Sequence, residues 1–190
     1  MRISKWRLAS VVMILAVAVL LASRYTAAQS TSTGLPTIVV VRHANKAALP
    51  KDDPPLTPAG VKRSQDLASV LHAAGVTGIV TTHLLRTRDT AAPLAAANGI
   101  TPVVIQRGPR RSIDHLKSVE AAIRRYTGTV LVVGHDDTVP GLIGHLGGPQ
   151  MPDICESVYD NLFILVPSEG KTKFVHARYG DPTPDSECKH

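Results

Sequence analysis

The stretch TIVVVRHANK, residues 37–46, joins five β-branched residues directly to a cation and an imidazole. A continuous run of this kind is typical of a strand that is buried on both faces, as in a parallel sheet. A buried strand that ends in Arg42 and His43 would hold both side chains rigidly at the edge of the sheet, where ligands bind in such folds. The stretch therefore predicts a central strand with functional groups at its carboxyl end.

Strand-like and helix-like segments alternate along the rest of the chain. The strand-like segments GIVTT, TPVVI and TVLVVG are each followed by a helical pattern, and LFILV and KFVHA flank the turn PSEGK as a hairpin would. The segment TPAGVKRSQDLASVLHAAG opens with a capping Thr57 and Pro58 at the first helical position. This order predicts an α/β domain over residues 37–178, a three-layer sandwich with a mostly parallel central sheet flanked by helices.

The first 28 residues predict a targeting segment rather than a part of this domain. Basic residues precede an apolar run from Leu8 to Ala22, and small residues follow up to Ala28, which is the order found in secretory signal peptides. An uncleaved membrane anchor is the alternative, because the run approaches the length of a spanning helix. Either way the sequence predicts a periplasmic or secreted protein that associates with a membrane only through this segment. Residues 29–36 are then a linker, and 179–190 a polar tail.

Net charge argues against a nucleic-acid-binding protein. The formal charge of +6 comes from 21 Lys and Arg against 15 Asp and Glu. Four of the basic residues precede the predicted cleavage point, which leaves 17 against 15. Such a weak excess does not predict a nucleic-acid-binding surface.

The two cysteines, Cys155 and Cys188, suggest structural rather than catalytic chemistry. An oxidising compartment would allow them to pair, although sequence alone does not show that they lie close enough. Their spacing matches neither a redox motif nor a zinc site. No set of histidines or acids shows metal-binding spacing either, so the sequence predicts metal-independent chemistry without a cofactor.

Chemically active side chains follow three of the predicted strands. These side chains are Arg42 with His43, His83 with Arg86, and His135 with Asp136. Because the carboxyl ends of parallel strands lie along one edge, the side chains should converge there. A cluster so rich in cations is stable when an anion binds in it, and arginine matches the geometry of phosphate. Each residue taken singly could equally pair with a surface acid, but their coincidence at three strand ends predicts a phosphate site.

The motifs that carry these residues resemble the histidine phosphatase superfamily, the phosphoglycerate-mutase-like group. VRHA, LTPAG, THLLRTRDTA and VLVVGHDDTVPGLIGHLGG occur in the expected order, within about residues 37–177. The last of these, followed by YDNLF, is similar to small exported bacterial members. The resemblance implies a phosphoglycerate-mutase-like fold and a phosphoric monoester hydrolase that acts on a small phosphorylated substrate.

The resemblance also implies roles for four residues. His43 would be the nucleophile and form a phosphohistidine, Arg42 and Arg86 would clamp phosphate oxygens, and His135 would donate a further hydrogen bond. A nucleophilic histidine must be neutral, with one ring nitrogen directed at phosphorus and the other held by a backbone carbonyl. Phosphoryl transfer depends mainly on such positioning and on charge stabilisation.

The proton donor is open between two aspartates. Asp136 follows His135 as in the larger, phytase-like branch of the superfamily, whereas Asp114 lies after the third strand, where the small branch usually has its acid. Asp136 or Asp137 could instead only cap the helix that begins near Thr138.

Two further residues are expected to contact substrate. Asn45 stands where many relatives carry Glu, so it would contribute hydrogen bonds but no proton. His83 shares the turn with Arg86 and is expected at the mouth of the pocket, because loops of this kind are enriched in site residues.

The sequence thus predicts a metal-independent phosphatase and leaves two alternatives. One is a catalytically weak or inactive module that binds phosphate or a phosphosugar. The other is a phosphotransferase of the phosphoglycerate mutase type, which would use the same core but is disfavoured by export and by the short chain.

Overall fold

The computed structural model describes residues 35–110, 112–168 and 170–184. The predicted targeting segment, most of the linker and Cys188 lie outside these residues, so export stays a prediction. Within the described part of the chain, no helix has both the length and the apolar character needed to cross a membrane.

Six strands and four helices make up the domain, in the order expected from the sequence. The strands are β1 (Thr37–Arg42), β2 (Val76–Thr82), β3 (Val103–Ile105), β4 (Thr129–Gly134), β5 (Asn161–Ser168) and β6 (Lys171–Arg178). The helices are α1 (Pro58–Leu71), α2 (Leu85–Asn98), α3 (Ile113–Ile123) and α4 (Thr138–His145).

The six strands form one sheet in the order β3-β2-β4-β1-β5-β6. β1 pairs in parallel with β4, and β2 pairs in parallel with both β4 and β3. β5 runs antiparallel to β1 and to β6. The sheet is therefore mixed, and the expectation of a mostly parallel sheet is wrong. The cause is the hairpin, because a tight turn joins only antiparallel strands and this hairpin extends the sheet through β5.

Both faces of the sheet are covered by helices, which confirms the three-layer α/β fold. Ile38 and Val40 of β1 belong to a core shared with α3 and α4, and Val39 and Val41 belong to a core shared with α1 and α2. None of these four side chains is more than 3% exposed. Alternate residues of one strand therefore stabilise opposite layers, which makes β1 the central strand that its sequence predicted.

The start of α1 is packed directly against the loop that follows His43. Thr57 accepts a hydrogen bond from the Gly60 N–H (3.1 Å) and donates its hydroxyl to the Asn45 carbonyl (3.2 Å). A Cβ atom at Gly60 would lie 2.2 Å from that carbonyl oxygen, so only glycine permits this approach. The first turn of α1 thereby fixes the backbone immediately after the strand end.

Candidate active site

His43 lies directly after β1 with its side chain buried. Its N–H donates to the Gly134 carbonyl (2.9 Å), and its Nδ1 lies 2.9 Å from the carbonyl oxygen of Ala44. Because a carbonyl only accepts, Nδ1 carries the proton and Nε2 keeps its lone pair. Burial lowers the pKa of His43 to about 3, against the hydrogen bond to Ala44, which raises it, and the nearby charges of Arg42 and Arg86 lower it further. An imidazole in this state can act as a nucleophile through Nε2.

A buried threonine fixes the backbone beside this histidine. Thr90 on α2 accepts a hydrogen bond from the Ala44 N–H (2.8 Å), and its hydroxyl donates to the Arg86 carbonyl (2.6 Å). The loop that holds His43 is therefore joined to the first turn of α2, the turn that carries Arg86.

Arg42 is buried and fastens a distant loop to the strand end. Its Nη1 donates to the carbonyls of Cys155 (2.7 Å), Glu156 (3.1 Å) and Val158 (3.0 Å). Its guanidinium carbon lies 4.3 Å from the centre of the Tyr159 ring, in a cation–π contact. Only Nε is buried without a hydrogen-bond partner within the described residues. Arg42 thus has a structural role that the sequence did not reveal, besides the phosphate contact expected of it.

Glu156 is an exposed carboxylate at the edge of the site. It accepts a hydrogen bond from Arg42 Nη2 (3.0 Å) and forms an ion pair with Lys46 Nζ (2.7 Å). Partial burial raises the pKa of Glu156, but Lys46 and Arg42 outweigh that effect and hold it below its usual value. Glu156 is therefore ionised at neutral pH and offsets part of the positive charge of the site.

Arg86 lies in the first turn of α2, facing the site. Its Nη1 is 3.8 Å from Asp53 Oδ1, and the same oxygen accepts the Leu85 N–H (2.9 Å), so Asp53 caps the helix from the preceding loop. Burial and the charge of Arg107 lower the pKa of Arg86, whereas Asp53 and Asp136 raise it. The Nε of Arg86 is buried and has no hydrogen-bond partner within the described residues. A bound anion would supply the missing acceptor.

His135 lies beside His43 and is also buried. The ring centres are 5.5 Å apart, and the Nε2 of His135 lies 3.1 Å from Thr82 Oγ1. Burial lowers the pKa of His135 well below its usual value, and the charges around His43, Arg107 and Arg86 add to the effect. Both histidines of the site are therefore neutral at physiological pH.

The two candidate acids lie in different environments. Asp136 is half-buried and close enough to Arg86 for its charge to raise the pKa of that side chain. Asp114 is exposed in the first turn of α3.

The suggestion that Asp137 caps α4 is wrong. Its carboxylate instead accepts hydrogen bonds from Arg107 Nη2 (3.2 and 3.0 Å). The hydroxyl of Thr138 fixes the turn before α4 by accepting the His135 N–H (2.9 Å).

Asn45 and His83 both make hydrogen bonds within the protein. Asn45 Oδ1 accepts from the Nε of the buried Arg63 (2.9 Å), which ties the loop after His43 to α1. His83 Nδ1 accepts the Arg107 N–H (3.1 Å), so it supports the loop after β3. Contact of either residue with substrate stays a prediction.

The remaining expectations concern metals and cysteines. In the three described segments, no group of three His, Cys, Asp or Glu side chains is arranged to hold a metal ion. Cys155 is disulfide-bonded, and its expected partner, Cys188, lies outside the described residues.

Protein stability should fall in mild acid because the site buries a neutral imidazole. An unfolded histidine titrates near its usual pKa of about 6.5, whereas folded His43 titrates at about 3. Between these values the unfolded state binds a proton that the folded state excludes, so stability is lost as the pH falls from about 6.5 towards 3. The expected loss is up to about 1.4 kcal/mol per pH unit for this group.

Urea unfolding at a series of pH values measures this loss. His43→Asn should reduce the slope of unfolding free energy against pH, whereas His72→Asn, at an exposed histidine next to α1, should leave it unchanged. Equal slopes in wild type and His43→Asn would show that His43 is not buried in the neutral form.

Comparison with known proteins agrees with this geometry. The family model described as Histidine phosphatase superfamily (branch 1) matches residues 38–110, which contain Arg42, His43 and Arg86. A search of curated proteins found no match.

Solved structures with the same fold include three bacterial proteins. The protein histidine phosphatase SixA complexed with tungstate is 18% identical with a TM-score of 0.58, over 75% of this chain and 96% of that one. Bacillus stearothermophilus YhfR is 17% identical with a TM-score of 0.57, over 73% and 94%. The mycobacterial glucosyl-3-phosphoglycerate phosphatase is 14% identical with a TM-score of 0.55, over 76% and 98%. At these identities the structures share the fold, and together with the family model they place this chain in the histidine phosphatase superfamily.

Proposed function

We propose that this protein is a metal-independent phosphatase that hydrolyses phosphomonoesters through a phosphohistidine on His43. The observation that carries the proposal is the state of that side chain: a buried, neutral imidazole whose Nδ1–H donates to Ala44. Only Nε2 is then free to attack, and the protein holds it without a competing proton.

The surrounding cations support an anionic substrate. Arg42 and Arg86 both depress the pKa of His43, and the Nε of each is buried without a partner within the described residues. An unpaired buried donor is costly, and phosphate oxygens would satisfy both of them with charge-assisted hydrogen bonds. These donors, together with His135, would also stabilise the charge that spreads over the phosphoryl group during transfer.

The reaction then proceeds in two displacements. His43 Nε2 forms a bond to phosphorus while the bond from phosphorus to the ester oxygen breaks, and the departing alcohol takes a proton from an acid. A water molecule next attacks the phosphohistidine, the bond from phosphorus to nitrogen breaks, and inorganic phosphate leaves. Net consumption is one ester and one water, so no external oxidant, reductant or metal is required.

We propose Asp136 as that acid, in preference to Asp114. Asp136 follows His135 at the end of β4 and interacts with Arg86, whereas Asp114 is exposed on α3. Asp53 also lies near Arg86, but its Oδ1 is already bonded to the Leu85 N–H. Glu156 is held ionised by Lys46 and Arg42 and is unsuited to donate a proton.

The identity of the acid predicts a dependence on the leaving group. Asp136→Asn should lower kcat for an alkyl phosphate by about 10²-fold or more, because an alkoxide needs a proton as it leaves. The same variant should hydrolyse an aryl phosphate at a rate within a few-fold of wild type, since a phenolate leaves without one. Asp114→Asn, the matched control, should change neither rate. Equal losses on both substrates in Asp136→Asn would contradict the assignment.

The function itself is tested with the purified full-length chain. It should release phosphate from an aryl phosphate in the presence of a chelator, at the same rate as without it. Phosphate that binds with no release would instead indicate the binding module, and transfer to a phosphoglycerate acceptor would indicate the mutase.

A further inference from the structure

We propose that Thr82 and Thr87 form a hydroxyl relay that holds His135 in the tautomer with its proton on Nε2. Thr82 ends β2, and Thr87 lies in the first turn of α2. Neither residue contacts His43, so they are positioning residues that act through His135. The tautomer does not depend on the proposed phosphatase function, whereas its consequence for turnover does.

The relay consists of four short contacts among buried groups. Thr82 Oγ1 lies 3.1 Å from His135 Nε2 and 2.9 Å from Thr87 Oγ1. Thr87 Oγ1 lies 3.0 Å from its neighbour's carbonyl, that of Thr82, and 2.9 Å from the Leu84 carbonyl. All three side chains are at most 3% exposed, so water does not compete for these bonds.

The direction of the relay follows from counting protons. The single hydroxyl proton of Thr87 goes to one of the two carbonyls, because carbonyls only accept. Thr87 Oγ1 then accepts from the Thr82 hydroxyl, and Thr82 Oγ1 in turn accepts from His135. The reverse direction would use the Thr87 proton on Thr82 and leave two close oxygen–oxygen contacts to carbonyls with no proton between them.

Two other groups independently favour the same direction. The Leu84 N–H points at Thr82 Oγ1 from 3.4 Å, which fits an oxygen that acts as an acceptor. His135 Nδ1 is buried with no hydrogen-bond partner within the described residues. With the proton on Nε2 this atom is an unpaired acceptor, whereas the other tautomer would bury an unpaired N–H donor, which is the rarer and costlier case.

The relay determines what His135 can do in the site. Its ring has one donor, at Nε2, on the side of β2 and α2 where Arg86 also lies. A hydrogen bond from His135 to a phosphoryl oxygen therefore comes from Nε2, while Nδ1 can only accept. A ring that rotated or changed tautomer would remove this donor from the site.

Nitrogen NMR of the histidine-labelled full-length chain reports the tautomer directly. Near pH 7 the wild-type His135 should show a protonated Nε2 and an unprotonated Nδ1. Thr82→Val removes the acceptor at nearly constant volume, and its His135 signals should move towards an average of the two tautomers. Thr82→Ser keeps the hydroxyl and should restore the wild-type signals, and Thr87→Val should weaken them partially.

Kinetics test the consequence for turnover. Thr82→Val should lower kcat about tenfold, the equivalent of one lost hydrogen bond, with KM within about twofold of wild type. Thr82→Ser should recover most of this loss. Thr81→Val is the matched control: Thr81 precedes Thr82 on β2, is 2% exposed, and its hydroxyl has no partner within the described residues. It should leave both the tautomer and kcat unchanged.

Two results would overturn the inference. One is a wild-type His135 with its proton on Nδ1, and the other is a Thr82→Val variant that keeps a single Nε2–H tautomer with full kcat. If the wild-type chain shows no turnover of any phosphate ester but the tautomer responds to Thr82→Val as described, the proposed function fails and the relay stands.

Discussion

Replacing His43 by Asn should lower phosphate release by at least about 10³-fold, because the variant has no ring nitrogen to form the bond to phosphorus. Asparagine still offers an N–H to the Ala44 carbonyl, the acceptor of the native Nδ1–H. The fold should therefore survive, and the loss should appear in kcat rather than in the amount of folded protein.

Phosphate release from an aryl phosphate and circular dichroism together measure this effect. His72→Asn, at an exposed histidine, is the control and should retain full activity. A folded His43→Asn variant with wild-type kcat would exclude His43 as the nucleophile.

Replacing Arg42 by Ala should lower the free energy of unfolding by about 3–5 kcal/mol and abolish turnover. Three carbonyls, those of Cys155, Glu156 and Val158, would lose their shared donor, and the Tyr159 ring would lose the cation packed on it. Arg42→Lys should be intermediate, because an ammonium keeps the charge but lacks the planar fork of donors.

Urea unfolding measures the stability effect, with Arg88→Ala as the matched control on the exposed face of α2. The control should stay within about 0.5 kcal/mol of wild type. An Arg42→Ala variant as stable as the wild type would show that the 155–159 loop does not depend on Arg42, and its role would then be confined to the anion site.

Local sequence was sufficient to predict the parts of this fold that depend on local patterns. The β-branched run before Arg42 predicted the central strand, and Thr57 with Pro58 marked the start of α1. The convergence of Arg42, His43 and His135 also followed, because β1 and β4 are adjacent parallel strands that end level with one another.

Contacts between distant segments could not be predicted in this way. The carbonyls that bind Arg42 lie more than 110 residues further along the chain, and no local pattern pairs them with it. Helical spacing places Ile113 on the apolar face of α3, yet it is 51% exposed, and His115 is buried instead. That histidine is anchored by its Nδ1 to the Gln106 carbonyl (3.2 Å), a hydrogen bond that depends on the path of the preceding loop.

The site also contains residues that the sequence did not single out. They are Asp53, Thr82, Thr87, Thr90, Glu156 and Tyr159. Three of the four on β2 and α2 are threonines, whose hydroxyls support the backbone or another side chain, so their residue type alone carries no sign of function. Their importance depends on burial and on partner atoms, both of which come only from the folded chain.

Trapping the covalent intermediate tests the central claim most directly. The purified full-length chain is mixed with an aryl phosphate that carries a radiolabelled phosphoryl group, and the reaction is stopped in base within one turnover. The account predicts a label that is stable in base, labile in acid, confined to the peptide that contains His43 and absent from His43→Asn. Turnover of the substrate with no labelled protein, or a label on another residue, would contradict it.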